Sequence, residues 1–167
     1  MISFGLDAST KTAGYALVKD RQPIEMSWID ISKFETNKEK AHAISDFIIN
    51  HPNFKEFSKI VLESPVIGFS RGMTSQQVIC TLIRFNGILE YVLQERTGLK
   101  VELITSMQAR KKALGKSFVR GMKPKIYVKT QLEIMYDLSK FQKTNRIGNE
   151  NKCMEDARDG LVLALCG

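Results

Sequence analysis

Four acids, Asp7, Glu63, Asp156 and Asp159, have the types and places to do chemistry together. Asp7 follows Ile2-Ser3-Phe4-Gly5-Leu6, an alternating stretch that puts Ile2, Phe4 and Leu6 on one side of a half-buried strand and Asp7 on the other. Glu63 ends Lys59-Ile60-Val61-Leu62, a short apolar run of the kind that makes a buried central strand. Asp156 and Asp159 stand three apart and so project from one face of a helix. That helix continues as Gly160-Leu161-Val162-Leu163-Ala164-Leu165, apolar almost all round, and must pack on the sheet. Glu155 points in another direction and is read as a surface or supporting acid. Carboxylates gathered from two strand ends and a buried helix repel one another, and burial without a counter-charge forces protons onto them. Divalent cations resolve the conflict. Mg²⁺ and Mn²⁺ take hard oxygen ligands, and two such ions about 3.5–4 Å apart activate a water and stabilise the leaving oxygen of a phosphodiester. Each acid alone has a plainer reading. Asp7 could bond the amides of Ser9 or Thr10 in a turn, Glu63 could start a loop, and the Asp156/Asp159 pair could complement the helix macrodipole. Their joint placement favours the metal site.

The charge distribution points to a polyanion. The chain has 167 residues and a net charge of +7. Arg110, Lys111, Lys112, Lys116, Arg120, Lys123, Lys125 and Lys129 fall within one stretch that contains no Asp or Glu. Those eight positive charges exceed the net charge, so the rest of the chain is nearly neutral. A solvated helix face would intersperse acids, whereas a one-signed block suits phosphates, whose neutralisation releases counterions.

The elements that must carry these residues follow from periodicity and punctuation. Strands are expected at 2–7, 13–18 and 24–30, forming a meander whose first turn contains Ser9, Thr10 and Lys11. Thr36 and Glu39 make a capping box for a helix with Ala43, Ile44, Phe47 and Ile48 on its apolar stripe. A strand at 59–63 precedes the longest helix, about 74–97, which Thr74 and Gln77 cap and Gly98 ends. Val78, Leu82, Phe85, Leu89 and Val92 line its inner face, while Ile79, Ile83, Ile88 and Tyr91 leave further apolar surface for a second copy of the chain. A fifth strand at 100–104 and helices at about 106–113, from Pro124, and at about 151–165 complete the order. The expectation is one domain over 1–167, an α/β fold with a five-stranded mixed sheet: a three-strand antiparallel meander plus two parallel strands, flanked by helices.

At this point the residues resemble a known family. Phe4-Gly5-Leu6-Asp7-Ala8-Ser9-Thr10-Lys11-Thr12-Ala13-Gly14-Tyr15-Ala16 is similar to the first-strand motif of RuvC-type resolvases. Val61-Leu62-Glu63 resembles their second motif, and Asp156-Ala157-Arg158-Asp159-Gly160-Leu161 their terminal-helix motif. The resemblance runs over nearly the whole chain, nearest to the small resolvases of bacteria and their bacteriophages. It implies an RNase H-like fold, a homodimer, and paired symmetric nicks in a four-way (Holliday) DNA junction with Mg²⁺ or Mn²⁺, two ions per site. Asp7, Glu63, Asp156 and Asp159 would be the catalytic, metal-binding four, with Asp7 bridging the ions. It also implies an aromatic probe of the junction centre. Phe69, with Arg71 beside it in the Ile67–Gly72 loop, is the candidate, although a loop anchor tucked into the core is an equal reading. Of the family's basic residues near the site, Lys125 is the best match, within Gly121-Met122-Lys123-Pro124-Lys125, while Arg110, Lys111 and Lys112 compete for the other place. The chain departs from the pattern at Ser64-Pro65-Val66 and in the more polar segment between Met135 and Asn151, so a base-sequence preference does not transfer.

Other classes fit less well. Cys80, Cys153 and Cys166 share no CxxC spacing and, with only His42 and His51, make no structural zinc site; buried free thiols are expected. No segment reads as a signal peptide or a membrane span, so a cytoplasmic protein with no membrane partner is the default. Sugar-kinase and chaperone ATPases share an Asp-x-x-Thr/Ser loop after a strand but need a second nucleotide-binding half, so no nucleotide cofactor is expected. An RNA-hybrid or flap nuclease of the same fold, or a non-catalytic junction binder, remains as an alternative.

Overall fold

The alternation at the start of the chain makes the central strand of the sheet. The structure, a computed structural model, describes residues 1–65 and 76–167. β1 (Ile2–Ala8), β2 (Thr12–Lys19) and β3 (Gln22–Asp30) form an antiparallel meander. β4 (Phe57–Glu63) runs parallel to β1, and β5 (Lys100–Ile104) parallel to β4, giving the spatial order β3-β2-β1-β4-β5. The expected mixed sheet is therefore observed, with β1 in the middle and β4, read from sequence as the central strand, one place away.

Two helical layers cover the sheet. Ile2, Phe4 and Leu6 of β1, with Ile60 and Leu62 of β4, pack beneath α1 (Asn37–Ile49) and α2 (Gln76–Thr97). The opposite face, with Ala16, Val18 and Val61, packs beneath α3 (Ser106–Leu114), α4 (Pro124–Met135) and α5 (Met154–Ala164). Local chemistry sets the helix ends. The Thr36/Glu39 capping box starts α1: the Glu39 amide donates to Thr36 Oγ1 at 3.1 Å and the Thr36 amide to Glu39 Oε2 at 2.9 Å. A second capping box, Thr105 with Gln108, starts α3. Gly98, at φ +67°, follows α2 and donates its amide to the Gln94 carbonyl.

The structure corrects the inner face of α2. Phe85, Leu89, Val92 and Leu93 are buried, but Val78 is 49% exposed. Thr74, expected to cap this helix, lies outside the described residues. The thiols also differ from expectation. Cys166 is buried and donates toward the Ala109 and Val162 carbonyls, Cys153 is half-buried, and Cys80 is exposed on the outer side of α2. Among the described residues, no helix is long and apolar enough to cross a membrane.

Glycines decide how closely α5 lies on the sheet. A β-carbon at Gly14 would stand 2.1 Å from the Asp156 carbonyl carbon, and one at Gly5 would stand 2.1 Å from the Gly160 carbonyl oxygen. A β-carbon at Gly160 would in turn sit 2.9 Å from Tyr15 Cα. Helix and sheet thus touch backbone to backbone, and no flexible side chain is available to yield. Gly14→Ala is expected to cost about 3 kcal/mol, the upper end of overpacking, and to push α5 away from β1. Urea denaturation measures the loss. An unchanged midpoint would show that α5 does not lie on β2 at this point.

Candidate active site

The sheet register places Asp7 and Glu63 side by side. Leu6 pairs with Leu62 in the parallel β1/β4 ladder, so the next residue of each strand is an acid at the same height. Both follow a buried apolar residue and turn their side chains to the face that α5 covers. Asp7 also lies opposite Gly14 in the antiparallel ladder, and Gly14 is where the backbone of Asp156 rests. Strand-end chemistry and the glycine contact together bring the N-terminal half of α5 to the two strand acids.

The β1–β2 turn is fastened without Asp7. Ser9, not Asp7, closes that turn: the Ser9 amide and hydroxyl donate to the Thr12 carbonyl at 2.8 and 2.9 Å, and the Thr12 amide donates to Ser9 Oγ at 3.1 Å. Asp7 is left to face the other acids, and its side chain hydrogen-bonds to Glu63. Two carboxyl groups can share such a bond only when one of them carries the proton.

Thr12, Ser106 and Arg110 surround the acids, and neither Thr12 nor Ser106 stands out in the sequence by its own type or spacing. Thr12 donates its hydroxyl to Asp156 Oδ2 at 2.9 Å, tying α5 to β2. Ser106, at the first turn of α3, lies near Glu63 and lowers its proton affinity. Arg110 folds back along α3, donating Nε to the Ser106 carbonyl at 3.0 Å and its terminal nitrogen to Ser106 Oγ at 3.2 Å. Its charge there acts on both Glu63 and Asp159. A signal for Ser106 was present: the Thr105/Gln108 capping box puts the next hydroxyl at a helix start directly after β5.

Burial and mutual repulsion raise the proton affinity of this group. Asp7 is pushed well above the usual carboxylate range, first by burial and then by the charges of Glu63, Asp159 and Asp156. Burial, followed by Asp159, lifts Glu63 to about 7, with Ser106 and Arg110 opposing. Burial also lifts Asp159 to about 6, against the pull of Arg110 and Lys125. All four acids remain partly open to solvent, so the low-dielectric surroundings do not seal them off.

A hard cation suits this donor set. The donors are all carboxylate oxygens, the nearby cations only partly compensate them, and a proton shared by Asp7 and Glu63 stands in for positive charge. As placed, however, no three His, Cys, Asp or Glu side chains among the described residues form a closed ligand cluster. The acids adjoin; drawing them into a coordination shell takes side-chain movement.

The basic residues divide by role. Lys116, Arg120, Lys123 and Lys125 are exposed between α3 and the start of α4, and Lys111 is exposed on α3. Lys125 pairs with Glu155 and lies close enough to Asp159 to lower its proton affinity. Lys112 instead donates to the Cys166 carbonyl just beyond α5, so it holds that end of the fold. Phe69 and Arg71 lie outside the described residues.

No model of a known family matches the sequence, and no curated protein matches it. Solved structures do share its fold. RuvC of Thermus thermophilus superposes with a TM-score of 0.60 at 16% identity, covering 99% of this chain and 92% of that one. The same protein in complex with a Holliday-junction substrate gives 0.61 at 14% identity, covering 99% and 91%. A Fowlpox virus resolvase bound to Holliday-junction DNA gives 0.52 at 18% identity, covering 99% and 95%. The chain therefore has the RuvC-like, RNase H-like fold over essentially its whole length.

Proposed function

We propose that this protein is a divalent-metal-dependent endonuclease that resolves four-way DNA junctions by paired, symmetric nicks, acting as a homodimer in the cytoplasm of a bacterium or of a phage-infected host. One observation carries the reading: Asp7, Glu63, Asp156 and Asp159 adjoin at one place in a fold shared with two resolvases that were solved on Holliday-junction DNA. Asp7, Glu63, Asp156 and Asp159 would hold Mg²⁺ or Mn²⁺, one or two ions. When bound, the metal supplies Lewis acidity and an activated water for phosphodiester hydrolysis.

The chain's own residues perform the rest. Thr12 holds Asp156 through its hydroxyl, and Ser106 and Arg110 near Glu63 favour its ionised, metal-binding form. Lys125 lies beside Asp159, and the exposed Lys111, Lys116, Arg120 and Lys123 of the same stretch suit backbone phosphates, contacts that position a duplex without reading its sequence. For a second copy of the chain, α2 offers Ile83, Ile88 and Tyr91, all exposed at one side of the molecule. Two active sites related by a two-fold axis would match the two-fold symmetry of a four-way junction.

An immobile synthetic junction tests the proposal beside linear duplex, flap and RNA–DNA hybrid substrates, each with Mg²⁺ and with Mn²⁺. Symmetric nicks confined to the junction are expected, from a species that sediments as a dimer. Equal cutting of flaps or hybrids would replace it with a broader nuclease, and tight junction binding without cutting by either metal would replace it with a binding protein.

A further inference from the structure

The polar segment between Met135 and Asn151, where the sequence departs from the resolvase pattern, folds into a fastened projection. Thr144 bridges to Glu150 in antiparallel fashion, and the Asn151 amide donates to the Lys143 carbonyl at 2.8 Å. Between them, Asn145 organises the tip. Its carbonyl accepts from the Gly148 amide at 3.0 Å, and its side-chain Oδ1 accepts from the amides of Ile147 and Asn149 at 3.0 and 3.1 Å. Gly148, at φ +84°, makes the left-handed turn that returns the chain.

Both feet of this projection are fixed to the body. Lys143 donates to Ser27 Oγ at 2.7 Å and lies over the Trp28 ring, 5.0 Å from its centroid. Glu150 pairs with Lys129 of α4 at 3.4 Å and with Arg158 of α5, a residue only 4% exposed. A cavity of about 180 Å³ runs from Glu150 and Arg158 to Lys125 and Asp159, so one foot stands on the wall of the candidate active site.

The tip stands exposed among the described residues and carries two contrasting side chains. Ile147 is 85% exposed, although every neighbouring residue is polar or glycine. Arg146 is exposed and makes no ion pair among the described residues. From Lys140 to Lys152 there are four cations and one acid, and that acid is already engaged by Arg158 and Lys129. An apolar residue held out on a preorganised, basic finger is poorly explained by folding, since nothing among the described residues covers it.

We propose that residues 144–150 form a DNA-engaging finger beside the cleavage site, with Arg146 on a backbone phosphate and Ile147 wedged against a base step of a junction arm. This rests on the nuclease reading for its location and adds a contact outside the basic stretch 110–129. Apolar wedges of this kind unstack a step and bend the duplex, and the cation supplies a salt-dependent phosphate contact.

Two variants, Arg146→Ala and Ile147→Ala, test it by junction binding across a salt series and by 2-aminopurine placed at steps flanking the nicks. Arg146→Ala is expected to lower the slope of log K against log[salt] by about one and to weaken binding roughly three- to tenfold at moderate salt. Ile147→Ala is expected to remove the wild type's 2-aminopurine enhancement, and Ile147→Leu to restore it. Circular dichroism should be unchanged, since neither side chain is packed. Wild-type slope in Arg146→Ala together with wild-type fluorescence in Ile147→Ala would overturn the finger while leaving the nuclease reading intact. A wild type that binds DNA in a finger-dependent way but cuts nothing would overturn the nuclease reading and keep the finger. A wild type that binds no DNA would overturn both.

Discussion

Asp7→Asn is expected to abolish DNA cleavage while making the metal-free protein harder to unfold. Residues that merely support metal ligands cost 10–100-fold when removed, so loss of the acid flanked by the other three should reduce nicking by on the order of 10³-fold or more. Junction binding should survive, because the basic residues at 110–129 are untouched. The gain in stability has a separate cause. Burial first, and then the charges of Glu63, Asp159 and Asp156, hold the Asp7 carboxyl well above the usual range, so folding at neutral pH costs either proton uptake or a buried charge at this position. Asparagine keeps the shape, removes the charge and supplies an amide that can donate to Glu63. Each kcal/mol gained should raise the melting temperature of a chain of this size by about 2–4 °C. Nicking assays and calorimetry in EDTA give the two readouts. Undiminished cleavage would place the chemistry elsewhere, and a lower melting temperature would make Asp7 a structural residue.

The metal-free protein should also lose stability as the pH rises from 5 to 8, and added Mg²⁺ should flatten that loss. Glu63 at about 7 and Asp159 at about 6 lie above their unfolded values of 4.5 and 3.8, and Asp7 is raised as well. The folded state therefore holds protons that the unfolded state has released. The contribution of these acids is fully present below their unfolded values and disappears as the pH climbs through about 6 and 7. Glu39 and Glu150 are displaced the other way, by hydrogen bonds from Thr36 and from Arg158 respectively, and their contribution is lost as the pH falls through their lowered values. A maximum near pH 5 results. Because Asp7 and Glu63 share a proton, their shifts do not add, and the fall across this window should be on the order of 3 kcal/mol. A divalent cation that binds the ionised acids stabilises the high-pH side by mass action. Urea titrations at pH 5, 6, 7 and 8, with EDTA and with Mg²⁺, decide it. A metal-free protein that grows more stable toward pH 8 would mean that the acids do not face one another.

Where a signal lay within a few neighbouring residues, the sequence already showed it. The alternation Ile2-Phe4-Leu6 placed Asp7 on the correct face of β1, the Thr36/Glu39 box marked the start of α1, and Gly98 marked the end of α2. Asp156 and Asp159 were assigned together because helical spacing alone puts them on one side. What stayed hidden depended on the direction taken by a side chain or on contacts distant in sequence. Lys112 lies in the same charge run as Lys111, yet it turns inward to the Cys166 carbonyl, and a count of charges carries no direction. Val78 fits the apolar period of α2 yet is half exposed, since periodicity gives the direction of a face and not the depth of its burial. Thr12 stands just before the strand expected at 13–18, and nothing local marks it, because its partner Asp156 is 144 positions away. The 144–150 projection rests on a single bridge and a few turn bonds, too little pattern for a strand signal. Phe69 and Arg71 fall outside the described residues.

The glycine-mediated seating of α5 has a consequence for how the protein comes into being. Half of the acid cluster is supplied by the first and fourth strands, but the other half waits for a helix whose tether to β2 spans 144 residues of chain. During translation, β1 to β5 can emerge from the ribosome and pair while the site is still missing two of its four carboxylates. No partial product that lacks α5, whether from stalled synthesis or from proteolysis, carries the assembled cluster. A cell making this protein is therefore shielded from the chemistry of the site until α5 has been made and has docked on Gly5 and Gly14.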